Sequence, residues 1–232
     1  ELDRGTRPMA VLTYVELALF YLEMGDLTKA KQALNNSQKL MEDASSQLDL
    51  FSRYNDRNVE LNYIKLLIAL GELEKVEIEV EKFLNINKKS YTQFSAEMLR
   101  LYTRASLAEA RKNYSLALDL WLELRKQSGI EHNYQLAIGR CLFMLERYSE
   151  AQVEFTKLAN APMVMHQQSA NPIGTEVILD NLKANYYLGK IAEIQSNLPQ
   201  AKKHFQYIVS RWQSEKIPIS EVAYSEKFLK NN

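Results

Sequence analysis

The chain of 232 residues carries a single cysteine, Cys141, which excludes an intramolecular disulfide and any cluster of thiolate ligands. Only 5 prolines and 7 glycines are present, too few for a turn-rich all-β protein. There is no excess of either charge: Lys+Arg and Asp+Glu are both 29. That balance argues against a nucleic-acid binder, which carries a basic excess or stripe. No apolar run approaches the roughly 18–20 residues that span a bilayer, and no export signal is visible. Histidine is scarce too. His132, His166 and His204 lie far apart, and none sits in an HExxH-type pair. Gly-rich phosphate loops, GxSxG elbows and paired-carboxylate signatures are missing. Catalysis therefore has little to stand on. No cofactor and no metal is expected.

What the chain does have is helical periodicity, with 46% hydrophobic and 25% charged residues to build a core and a solvated surface. Tyr186 to Trp212, YYLGKIAEIQSNLPQAKKHFQYIVSRW, holds two apolar runs around a polar break at Gln195–Asn197. Leu188, Ile191, Ala192 and Ile194 share one face. Leu198, Ala201, Phe205, Ile208 and Val209 follow at spacings of three and four. Gly189 and Ala201 are small residues for a close helix crossing, and Phe205 is the bulky plug beside it.

The same arrangement recurs along the chain. Hairpins are expected at 9–41, 48–84, 90–126, 132–159 and 175–213, after a linker over 1–8. Together with a covering helix over 218–230 they make one domain, 9–231. Pro8 and Pro218 suit first helical turns. VEIEVEKF, Val76 to Phe83, alternates like a strand but fits a helix equally well, and a lone strand would have nothing to pair with. The charge run Glu72–Glu81 reads as a solvated face. Cys141 shares its place with Phe20, Leu66, Leu107 and Ile191, so it reads as a packed core thiol. His204, one position before Phe205, is expected to face solvent. Ala161–Gly174, APMVMHQQSANPIG, is the one long irregular stretch and is expected to be mobile at an edge.

This pattern resembles the tetratricopeptide repeat. YVELALFYLEMGDLTKAKQALNNSQKL and the fourth and fifth pairs match it well, the third fairly and the second weakly. Ala30, Val76, Ala117, Ala151 and Ala201 occupy one column, with steps of 46, 41, 34 and 50 residues. Only one step keeps the family's roughly 34. Long-period arrays of this kind look like those appended to bacterial signalling proteins. The resemblance implies an all-α fold, a right-handed superhelix of about five hairpins plus a capping helix, whose first helices line a concave groove. Aligned on the repeat, that groove includes Val15, Leu61, Lys65, Tyr102, Arg140, Phe143, Lys183, Tyr186, Lys190 and Glu193. The expected partner is a protein or peptide segment with an acidic stretch beside an apolar residue, and no nucleic acid. The Lys/Asn pair by which the family's chaperone clamps capture a terminal carboxylate is missing, so that specialised role is not expected. A small-molecule-sensing domain stays open as the alternative reading. The chain opens at Glu1 without an initiator Met, which suggests a piece of a larger cytoplasmic protein, or a periplasmic one if a signal or anchor precedes it.

Overall fold

The computed structural model describes residues 7–43, 57–86, 93–129, 134–160, 174–212 and 219–232. They form eleven helices and no strand. The chain divides into two compact units, one ending at Asn113 and the other beginning at Tyr114.

The first unit contains α1 (Arg7–Glu23), α2 (Leu27–Asp43), α3 (Arg57–Ala69), α4 (Leu73–Ile86) and α5 (Gln93–Ala110). α1 pairs with α2 and α3, while α4 and α5 close against α3. Their core joins Val15, Ala18, Leu34, Ile64, Leu66, Val76, Val80, Phe83 and Leu107. The ambiguous VEIEVEKF stretch is therefore helical. Val76, Val80, Phe83 and Leu84 are buried at helical spacing, whereas strand alternation would also have buried Ile78, which is exposed. The outer face of α4 carries the charges, as expected for the run Glu72–Glu81. Glu81 accepts a two-pronged contact from Arg100 of α5, at 2.7 and 3.0 Å.

The second unit contains α6 (Tyr114–Ser128), α7 (Gln135–Met144), α8 (Tyr148–Asn160), α9 (Gly174–Ile194), α10 (Leu198–Trp212) and α11 (Ser220–Asn231). α9 lies against α7, α8 and α10, and α11 covers α10 and touches α9. Val222, Ser225 and Phe228 of α11 are buried, so it does cover the fifth hairpin. It starts at Ser220, two residues later than Pro218 suggested. α1 starts at Arg7 and takes Pro8 into its first turn.

Five tight turns share one geometry. Gly25, Gly71, Lys112, Glu146 and Ser196 each adopt positive φ, between 57° and 80°. In each turn that residue's N–H bonds the carbonyl three positions back, and the next N–H bonds the carbonyl five positions back. This is the glycine-type helix stop, in which a left-handed residue satisfies the last free carbonyls. Three of the five turns do it without glycine. Five residues after each turn stands Ala30, Val76, Ala117, Ala151 or Ala201, all fully buried. Four further on stand Leu34, Val80, Trp121, Phe155 and Phe205, buried as well.

Two crossings are closest. A Cβ added at Gly139 would lie 2.6 Å from Phe155, and one at Gly189 would lie 2.6 Å from Phe205. Each glycine lets its helix rest on a ring, as the spacing of Gly189, Ala201 and Phe205 predicted. Cys141 is a buried thiol, not part of a disulfide.

Several expectations need correction. Ile194 and Leu198 are exposed, because they flank the turn at Ser196 where the two helices diverge. Phe20 is 50% exposed, although Leu66, Leu107, Cys141 and Ile191 in its column are at most 2% exposed. α2 runs on through Asp43, and the stretch 161–173 lies outside the described residues, as do His132 and His166.

Candidate functional site

Helices α7, α8, α9 and α11 of the second unit carry a row of aromatic rings. Tyr148 meets Phe143 edge-on at 5.5 Å, and Phe143 meets Tyr187 at 5.2 Å. Tyr187 neighbours Tyr186 at 5.5 Å, and Tyr186 meets Tyr224 of α11 at 5.5 Å. The row thus steps from α7 to α9 to α11. It is anchored from below: Phe155 stacks on Tyr187 at 4.8 Å, nearly parallel, and Phe205 packs against Phe228 at 4.6 Å. Phe143, Tyr186, Tyr187 and Tyr224 are half-buried, so each is partly open to solvent while its neighbours hold the ring in place. Burial raises the Tyr186 pKa above the ordinary phenol value.

Charges border this row. Arg140 and Lys183 are half-buried on α7 and α9. Lys190 is committed within the protein. Its Nζ donates to Glu193 Oε2 at 2.7 Å and to the Tyr224 hydroxyl at 2.7 Å, and it lies 4.4 Å from the Tyr224 ring centre. The Tyr224 hydroxyl in turn donates to Glu193 Oε2 at 2.7 Å. Burial opposes the charge on Lys190, but its bonds to Glu193 and Tyr224 outweigh burial and hold its pKa up. Burial likewise opposes ionisation of Glu193, and the bonds from Lys190 and Tyr224 outweigh it, keeping that pKa low. The covering helix is thereby fastened to α9 through the very lysine expected to meet a ligand.

The remaining expected groove residues divide by unit. Lys65 and Tyr102 are half-buried in the first unit, and Tyr102 packs on its core. The Leu61 side chain lies outside what the structure describes. Val15 is fully buried and belongs to the core, a correction: α3 packs over that side of α1. Arg140, Phe143, Lys183, Tyr186 and Lys190 all belong to the α7–α9 pair. Tyr148, Tyr187 and Tyr224 were missed. The one available signal for Tyr224 was its spacing of four from Phe228, an aromatic stripe on a helix thought only to cover an end.

His204 corrects another expectation. It is half-buried, not turned to solvent. Its Nδ1 lies 3.0 Å from Asn185 Oδ1. The Asn185 amide nitrogen donates to the Asn181 carbonyl at 2.9 Å, so Oδ1 is the acceptor and the His204 proton sits on Nδ1. Asn181 extends the chain, donating to the Ala159 carbonyl at 2.9 Å and accepting from the Tyr207 hydroxyl at 3.0 Å. Burial first, and then neighbouring Lys203, lower the His204 pKa. This network ties α8, α9 and α10 together and contributes register rather than chemistry. Among the described residues, no three His, Cys, Asp or Glu side chains gather as metal ligands, and no helix is long and apolar enough to cross a membrane.

No family model matches this chain, and no similar curated protein or solved structure was found.

Proposed function

We propose that this chain is a non-catalytic interaction domain of tetratricopeptide type, a right-handed stack of hairpins that binds a protein segment along its first helices. It would serve as the scaffold or sensor part of a larger signalling protein. One observation carries the reading: the half-buried aromatic row Phe143–Tyr187–Tyr186–Tyr224, bordered by Arg140 and Lys183. Rigid ring edges supply apolar anchors at low entropic cost, and flanking cations select an acidic neighbour. The recurrence of one turn geometry five times, each followed five residues later by a fully buried Ala or Val, supports the repeat assignment. Segments with an acidic stretch beside an aromatic or aliphatic residue fit this surface best.

The test is a peptide-array screen with the whole chain, followed by amide-shift mapping of the tightest peptide. Acidic–apolar peptides should shift α7 and α9 resonances, and Phe143→Ala or Tyr186→Ala should weaken binding by about tenfold or more. Shifts confined to Lys65 and Tyr102 in the first unit would remove this assignment.

A further inference from the structure

Resting on that groove reading, we propose that Glu193 is a built-in competitor for the partner's carboxylate at Lys190, so the basic end of the surface is masked until an acidic segment displaces it. Of the three donors on Lys190 Nζ, one is given to Glu193 and one to Tyr224, both at 2.7 Å. Lys190 and Glu193 cancel each other, so this end exerts little pull on an approaching anion. The pair is not sealed in the core. The two side chains keep 24% and 32% of their exposure, so the pair lies where an incoming carboxylate can meet it. An i,i+3 pair at this exposure would exchange readily by itself. Tyr224 changes that, because its hydroxyl donates to the same carboxylate oxygen that Lys190 binds. Glu193 is thus gripped by two donors, one of them from α11. A partner carboxylate must replace both contacts, while a single neutral hydrogen-bonding group has no charge with which to compete. The device raises the acidic density a partner needs, a form of discrimination by an internal opponent.

The experiment uses the whole chain and two fluorescein-labelled peptides: one alternating Glu and Phe, the other with Gln in place of each Glu. Fluorescence polarisation is read at low and high salt for wild type, Glu193→Gln and Tyr224→Phe. The expected result is that Glu193→Gln binds the Glu peptide about two- to fivefold more tightly, the range of an exposed ion pair. The gain should shrink at high salt and be missing for the Gln peptide. Tyr224→Phe, which keeps the charges but releases one grip on Glu193, should give a smaller gain in the same direction and serves if Glu193→Gln fails to fold. If wild type prefers the Glu peptide but neither variant tightens, the competitor role is wrong while the groove reading stands. If wild type and both variants bind the two peptides alike, the acidic-groove reading fails and takes the competitor with it.

Discussion

Gly189→Ala places one methyl group where the structure has no room for it. The new Cβ would lie 2.6, 2.8 and 3.0 Å from three atoms of the Phe205 ring. Helix propensity works the other way: alanine in a helix interior is favoured over glycine by about 1 kcal/mol. The sign therefore depends on whether the ring can give way. It is fully buried and faces Phe228 at 4.6 Å, Tyr224 at 5.6 Å and Tyr186 at 6.4 Å. A ring held on three sides cannot swing, so either it leaves its rotamer or α9 and α10 separate. Overpacking of this sort costs about 1–3 kcal/mol. After subtracting the helix gain, the net loss is about 0–2 kcal/mol, or up to about 8 °C in thermal midpoint for a unit of this size, with the upper half expected for a ring held on three sides. Urea and thermal melts read it directly. The double variant Gly189→Ala/Phe205→Leu should lose less than the sum of its single changes, because the overlap is gone. A Gly189→Ala protein more stable than wild type would mean that propensity alone acts there and the helices do not cross closely.

Ala201→Leu, at a fully buried site in the same hairpin, should lower the midpoint by several degrees through overpacking. Ser196→Gly and Glu146→Gly relieve left-handed strain in turns of Gly25 type and should each raise stability by about 0.5–1 kcal/mol in urea melts; no gain would show that those turns are relaxed as they stand. His204 binds its proton less readily folded than unfolded, so its contribution is complete above the ordinary histidine value of about 6.5 and is lost as pH falls below it toward the depressed folded value. His204→Asn keeps a donor toward Asn185 and should flatten that part of the stability–pH curve, whereas an unchanged slope would shift the titration to another group. Lys190→Glu should cost stability as well as charge, because it sets two carboxylates together and unfastens Tyr224. Lys183→Glu is a second probe of the surface and should weaken binding of an acidic peptide at low salt, read by fluorescence polarisation.

Helical periodicity and the polar breaks were sufficient to locate the helices. These are local properties: a helix must bury one stripe, and the stripe is written at three- and four-residue intervals. The burial of Ala201, Phe205 and Cys141 follows from the same periodicity. Even the stretch Val76–Phe83, ambiguous between two periods, was resolved by its helical flanks.

Side-chain commitments between elements distant in the chain were not legible. Lys190 reads as a groove cation from its place in α9, and only the arrival of Tyr224 from α11, 34 residues later, together with Glu193, takes up that charge. His204 reads as a surface residue, and only Asn185 on the neighbouring helix makes it a neutral, half-buried link. Phe20 reads as core because its column is core, yet it stands half exposed in the tertiary structure. A chain by itself determines which faces of its helices avoid water. Which polar groups meet across those faces, and so which charges remain for a partner, depends on the packing of helices far apart in sequence, and the tertiary structure decided it.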